Sequence, residues 1–421
     1  MRATRIVKSI VVVGALSLIA VACGSSKKST SGAGGATTTA AGAATTKAAA
    51  TATTTAAETA TTKAASGATT AAPAATGEVK KVKLQLQWFV QAQFAGYLAA
   101  VDQGFYKADG LDVSIIEGGV DITPQKVLAE GGADFALAWV PKALQTREAG
   151  ADIVDISQMF QRSGTLQVSL KDKNITKSAD FKGRKIGNWG FGNEYEIFAA
   201  LSKNSLDPAK DVTLVAQQFD MKALLSGDID AAEAMTYNEY AQVLEAKNPK
   251  TGNLYAPDDL NVVSYNTEGV GMLQDAVWAD GKKLASDKPY QDTAVKFLKA
   301  SMKGWIFCRD NAQKCADIVV AKGSKLGASH QLWQMNEINK LIWPSPNGIG
   351  ALDQAAWDAT VKISQGTKNL DGKTVLTKAP EGKAFDMSFN TQALDALKKD
   401  NVEVTGASFR PATVTLKADG A

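Results

Sequence analysis

The chain has a single histidine, His330, and three cysteines, Cys23, Cys308 and Cys315, among its 421 residues. That scarcity removes several chemistries: there is no histidine cluster to hold a metal, and no Ser-His or Cys-His pair that rises above coincidence. Walker and dinucleotide fingerprints are missing too, because the glycines of Gly190-Phe191-Gly192-Asn193-Glu194 do not follow the G-x-G-x-x-G order. Excess charge of either sign is absent. Against 46 Lys and Arg stand 43 Asp and Glu, and loss of Arg2, Arg5 and Lys8 with a leader brings the formal balance to zero, so there is no basic footprint for nucleic acid. After the leader no stretch reaches the roughly 18 consecutive apolar residues of a membrane-spanning helix. Between Gly24 and Gly77 there is no Val, Ile, Leu, Met or aromatic residue, so this stretch cannot bury enough apolar surface to offset its ordering entropy. Residues 23–78 therefore read as a disordered Ala/Thr-rich tether, with a typical span of roughly 40 Å.

What is present at the front is an export signal over residues 1–22. Arg2, Arg5 and Lys8 form its positive region, Ile10 to Ala20 its apolar region, and Ala20-Val21-Ala22 the small residues before Cys23. Cys23 followed by Gly-Ser-Ser resembles a bacterial lipobox, with Ala20 where Leu is usual. That resemblance implies that Cys23 becomes the lipidated first residue, anchoring the protein to the outer face of the cytoplasmic membrane.

The remainder, 45% hydrophobic and 21% charged over the whole chain, is long enough to divide into two cores. From Val79 strands and helices alternate. Val82, Leu84 and Leu86 point one way along a strand; Phe94, Tyr97, Leu98 and Val101 mark one face of a helix; Leu111 to Ile116, Phe135 to Val140 and Ile153 to Phe160 read as further strands. Pro124 and Pro141 open helices. The grammar repeats with strands at Lys185 to Trp189, Val212 to Val215 and Ala231 to Met235. Such order predicts an α/β protein with two lobes, each a parallel-rich sheet flanked by helices. Crossovers are expected near Gln167 to Leu170 and Tyr265 to Leu273, giving one lobe from 79–170 and 271–421 and another from 171–270. Val402 to Val404 and Ala412 to Leu416 read as peripheral strand-like pieces.

LQLQWFVQAQFAGYLAAVDQGFYKADGLDVSIIEGG, GGADFALAWV, KGRKIGNWGFGNE and AMTYNEY together resemble the NMT1/THI5-like branch of the type II periplasmic binding proteins, the substrate-binding components of ABC importers. The resemblance covers roughly Val82 to Leu397. It is strongest to the subgroup that captures a formylated aminopyrimidine precursor of thiamine, with riboflavin binders nearby. It implies a two-lobed fold that closes over a small heteroaromatic molecule and hands it to a membrane permease, as a monomer, without cofactor, metal or catalysis. The chain departs from the fungal pyrimidine synthases of the superfamily: the Trp88 to Tyr97 loop has no His, and there is no Cys-rich iron motif.

Ligands of open parallel sheets bind beyond the carboxyl ends of the strands. The loops there supply Trp88, Phe94, Trp139, Trp189, Phe191 and Tyr237 as aromatic walls, with Gln93, Asn193, Glu194, Asn238 and Glu239 to read a ring edge. Phe94 shares a helical face with Leu98 and Val101, so it is equally a core residue; Glu194 and Glu239 are equally first-turn helix acids favoured by the dipole. Lys and Arg are nearly missing from these loops. Carboxylates beside aromatics suit an aminopyrimidine first, riboflavin second and a sulfonate or nitrate oxyanion third; an enzyme of pyrimidine metabolism is the alternative from another class. Cys308 and Cys315 are expected to form a disulfide, which requires the helix to break near Arg309-Asp310-Asn311, because a continuous helix would hold them about 10.5 Å apart.

Overall fold

The structure is a computed structural model and describes residues 79–190 and 192–421. The leader, Cys23, the tether and Phe191 lie outside the described residues. Ten strands form two five-stranded sheets. The first contains β1 (Lys80–Gln85), β2 (Leu111–Ile116), β3 (Phe135–Trp139), β4 (Ile153–Gln158) and β10 (Asp275–Asp280) in the order β2-β1-β3-β10-β4. The second contains β5 (Thr165–Leu170), β6 (Lys185–Asn188), β7 (Thr213–Ala216), β8 (Ala231–Met235) and β9 (Leu260–Ser264) in the order β7-β6-β8-β5-β9.

Both sheets share one plan. Three strands pair in parallel, joined by helices, and the fourth position is taken by a strand that arrives from the other sheet: β10 runs antiparallel to β3 and β4, and β5 antiparallel to β8 and β9. The sheets are therefore mixed, because a strand entering from the neighbouring lobe starts at the cleft end, where the parallel strands finish. This also corrects the first boundary. Gln167 to Leu170 is not a crossover but part of β5, hydrogen-bonded on both sides within the second sheet, so the chain passes between sheets over 159–164. The alternation in Thr165–Leu170 gives a strand but not its sheet. The return runs through 265–274 into β10.

Over the first sheet lies the 23-residue helix Lys288–Asp310. Phe297 stacks on Phe135 with ring centroids 4.4 Å apart, Trp305 meets Tyr97 edge-on at 5.6 Å, and all four are buried. A cluster of this kind stabilises the lobe by roughly 2 kcal/mol per large side chain. The helix Ala95–Asp102 crosses it so closely that a Cβ on Gly304 would stand 1.9 Å from the Gly96 carbonyl oxygen. The two C-terminal pieces expected to be strands are not strands. The segment has no ladder partner, and from Ala412 it runs along the helix Ala328–Ile342, donating from the Ala412 and Lys417 backbone N–H groups to Asn336 Oδ1 and Ser329 Oγ. Among the described residues no helix is long and apolar enough to cross a membrane.

Cys308 and Cys315 are joined by a disulfide. The long helix stops at Asp310, Asn311 leaves helical geometry with φ −137° and ψ 54°, and a new helix Ala312–Ala321 begins, bringing the two Cα atoms to 5.4 Å. The bridge closes a short loop, so its removal is expected to lower stability by about 2 kcal/mol, read as a fall of a few degrees in Tm in reductant. Neither cysteine lines the cleft, so ligand affinity should not change.

Candidate functional site

The carboxyl ends of β1 and β3 face those of β6, β7 and β8 across a cavity of about 380 Å³. From the first sheet come Gln87 and Trp88 after β1, Gln91 and Gln93 around the short 3-10 turn Ala92–Phe94, Trp139 at the end of β3, and Lys142 in the following helix Val140–Glu148. From the second come Trp189 and Asn193 after β6, Phe219 after β7, and Met235, Tyr237, Asn238 and Glu239 at and beyond the end of β8. Strand ends supply these residues because pairing stops there, freeing the backbone to turn and aim side chains into the cleft.

The aromatic wall is continuous between the lobes. Phe219 lies 4.7 Å from Trp88, tilted by 58°, and stacks on Trp189 at 5.9 Å with planes 24° apart. Trp139 is locked from below: its indole Nε1 donates to Asp275 Oδ1 at 2.9 Å. The same carboxylate accepts from Gln87 Nε2 at 2.6 Å and from Gln93 Nε2 at 3.0 Å, so one buried acid at the start of β10 orients three side chains of the wall. Burial pushes the Asp275 carboxyl up to about 6, and these three donors hold it from rising further. Glu233, buried in β8, plays a similar part for the other lobe by accepting from the Trp189 backbone N–H at 2.8 Å; burial raises its carboxyl well above the ordinary range.

Glu239 lines the cavity and accepts from the Met235 N–H at 3.0 Å and from Asn238 Nδ2 at 2.7 Å, while burial lifts its carboxyl to about 7. Asn238 Oδ1 in turn lies 3.0 Å from His330 Nε2, and the Glu245 carboxylate faces His330 Nδ1 at 2.9 Å. A buried chain thus connects Glu245, His330, Asn238 and Glu239. His330 is carried by the helix Ala328–Ile342, whose Gln331 and Gln334 accept from the Ala92 and Gln93 backbone N–H groups of the first lobe.

Of the candidates, Trp88, Gln93, Trp139, Trp189, Asn193, Tyr237, Asn238 and Glu239 line one cavity. Two do not. Phe94 is fully buried in the core, because the 3-10 turn Ala92–Phe94 packs its ring beneath the cleft floor. Glu194 turns back to accept from the Gly192 N–H at 2.9 Å, closing its own loop rather than facing the cavity. Basic side chains are nearly missing from the loops, but Lys142, from the helix Val140–Glu148 that follows β3, reaches the cavity wall. The residue lines the cavity, and its ammonium donates to Asn193 Oδ1 at 2.7 Å and sits 5.0 Å from the centre of the Trp139 ring. Burial pushes it down to about 8, while the charges of Glu194, Glu233 and Asp275 act to raise it. Lys142 falls immediately after Pro141, where the pattern reads only as a first helical turn, and Asp275 lies on the returning strand far along the chain.

The family described as NMT1/THI5 like matches residues 91–315. The chain belongs to that family. Among its relatives, the chain is similar to a formylaminopyrimidine-binding protein of Halalkalibacterium halodurans, 21% identical over 290 residues that make up 67% of this chain and 84% of that protein. It is also similar to a riboflavin-binding protein of Chloroflexus aurantiacus, 26% identical over 300 residues, 69% of this chain and 81% of the relative. A thiamine biosynthesis protein of Haemophilus influenzae is 27% identical over 188 residues; the match covers 44% of this chain and spans only 60% of that relative's length. Among solved structures the family fold is shared with a protein of Bordetella bronchiseptica, with a TM-score of 0.56 and 17% identity over 76% of this chain and 98% of the other. It is shared as well with a periplasmic sulfonate-binding protein of Methylobacillus flagellatus, with a TM-score of 0.52 and 15% identity over 80% of this chain and 99% of the other.

Proposed function

We propose that this chain is the substrate-binding component of an ABC-type importer and that its ligand is a small heteroaromatic compound, an aminopyrimidine precursor of thiamine first. The observation that carries the reading is the aromatic wall shared by both lobes, Trp88 and Trp139 from one and Trp189, Phe219 and Tyr237 from the other, around a cavity edged with amides. Flat rings bind such walls by area burial plus about 0.5–1.5 kcal/mol per aromatic pair. At about 380 Å³ the cavity lies near the lower end of small-ligand clefts, roughly 300–1,000 Å³, which suits one ring better than a tricyclic bearing a sugar chain. The names of two family relatives, a formylaminopyrimidine binder and a riboflavin binder, support the ligand class. In support of capture without turnover, Glu239 in the cavity wall and Asp275 beneath it are each committed to hydrogen bonds that fix wall residues. An exported monomer anchored through Cys23, with residues 23–78 as tether and a membrane permease as partner, completes the proposal.

Native mass spectrometry of the full chain, purified without refolding, tests it. A co-purifying or readily exchanged aminopyrimidine, recovered unchanged after prolonged incubation, is the expected result. Trp88→Ala should then weaken binding by about ten- to a hundredfold, because it removes one face of the ring site and breaks the contact to Phe219. A bound flavin would move the assignment to riboflavin import. Product formation would make the protein an enzyme, and an empty protein that takes only a sulfonate or nitrate would refute the ring reading.

A further inference from the structure

Most of the donors that line the cleft are already engaged inside the protein. Gln87, Gln93 and Trp139 donate to Asp275, Gln91 Nε2 donates to Gln93 Oε1 at 2.7 Å, Asn238 Nδ2 donates to Glu239, and Asn193 Nδ2 donates to the Gly190 carbonyl at 2.9 Å. Lys142 differs. It is the single cation among the described residues of the cavity wall, an ammonium has three N–H donors, and the protein accepts one of them, at Asn193 Oδ1. The acids nearest in charge, Glu194, Glu233 and Asp275, act on it through space and form no ion pair with it. Its stem is held as well, since Gly192 of the opposite lobe lies against it, with a Cβ position 3.5 Å from Lys142 Cε.

Two roles fit a lysine in this place. As a strut, it would hold the lobes together through Asn193 and stay indifferent to the ligand. As a reader, it would turn its remaining N–H groups on an acceptor carried by the ligand. The strut uses one N–H of a partly buried lysine and leaves two that no protein atom accepts beside an aromatic wall, where a ligand oxygen would gain a charge-assisted hydrogen bond. The indole face of Trp139 offers only a weak partner at 5.0 Å.

We propose that Lys142 is the specificity-determining donor of the cleft and that the ligand's ring carries an exocyclic acceptor oxygen, a carbonyl or carboxylate, that receives its N–H. This rests on the ring-binding reading above and narrows it: among flat heterocycles, those bearing such an oxygen are selected and those lacking it are tolerated poorly. The charge of the ammonium is partly balanced by the ionised Asp275 beneath the wall, so the oxygen need not be anionic. A formamide on an aminopyrimidine meets the requirement.

The experiment compares two neutral probes on the full chain by titration calorimetry: an aminopyrimidine carrying a formamide, and its analogue with the formamide replaced by an ethyl group. The wild type should favour the first by about ten- to a hundredfold, the range of a hydrogen bond to a charged donor. Lys142→Met should bring the two to within about twofold by weakening the formamide alone. Lys142→Arg, which keeps a cationic N–H donor at this position, should retain part of the preference. Equal losses for both probes in Lys142→Met, or none, would overturn the role of Lys142 while leaving ring capture standing. Failure of the wild type to bind either probe would overturn both.

Discussion

Replacing His330 with leucine is expected to destabilise the protein by about 3–5 kcal/mol and to weaken ligand binding together with stability. The ring is 1% exposed, with Glu245 Oε1 and Oε2 at 2.9 and 3.0 Å from Nδ1 and Asn238 Oδ1 at 3.0 Å from Nε2. Its helix belongs to the first lobe, where Met335, Ile338 and Leu341 join the core, whereas Glu245 and Asn238 belong to the second. Trp333, on the same helix, donates to the Thr236 carbonyl at 3.1 Å. His330 is therefore a clasp between lobes, and losing it strands a buried carboxylate without its partner while releasing Asn238 and, through it, Glu239 in the cavity wall. Thermal and denaturant unfolding give the first number and calorimetric titration the second. The double variant His330→Leu with Glu245→Leu should recover most of the stability, because two apolar side chains leave no orphaned charge. A single variant within about 1 kcal/mol of wild type would show that water replaces the ring at no cost and that the clasp has no strength.

The clasp marks where reading the sequence stops being sufficient. The strand-end aromatics are legible because Trp88 breaks an apolar alternation, Trp139 comes just before Pro141 at a strand end and Trp189 opens a Gly-rich loop, and Asn238 and Glu239 because they follow a strand end directly. Local pattern cannot say which residues meet them. Phe219 reaches Trp88 from a short turn after β7, Asp275 supports Trp139 from the returning strand, and His330 closes on Asn238 from 92 residues further along the chain. Each contact is set by packing of elements whose pattern is complete without it. The direction of β5 and β10 was hidden for a related reason: alternation has period two whichever way a strand runs, so Thr165–Leu170 fits either sheet until its partners are known. Phe94 and Glu194 show the converse. A ring on the first turn of a helix and an acid before one can serve the site or the scaffold, and in both the scaffold has the side chain.

Stability should fall as the pH rises from about 5 to about 8, opposite to the usual behaviour of carboxylates held in ion pairs. Buried acids carry this effect, among them Glu233 and Glu337, both raised by burial. Burial lifts Asp155 to about 8, Glu196 and Glu239 to about 7 and Asp275 to about 6, in each case against hydrogen bonds that act to lower it. The folded protein therefore holds protons that the unfolded chain releases near pH 4, and unfolding in this window releases protons. The contribution is complete below about pH 4, declines from there up to each folded pKa, and for the four with values just given is exhausted above about pH 8. Lys142 adds no slope here, since its ammonium is pushed down only to about 8 and is charged in both states at lower pH. A tenfold change in proton affinity corresponds to about 1.4 kcal/mol, so Asp155 alone can contribute several kcal/mol. Its Oδ1 accepts from the Ser157 N–H at 2.9 Å, whereas Oδ2 is buried without a partner among the described residues, an environment that favours the neutral acid. Asp155→Asn keeps the shape and removes the charge, so it should flatten the dependence of Tm on pH and raise stability at about pH 8 relative to wild type. Calorimetry in buffers of different ionisation enthalpy should register the released protons directly. A Tm that stays level or rises across this range would mean that these carboxyls are solvated well enough to remain ionised, and that the cleft floor above Asp275 is charged throughout.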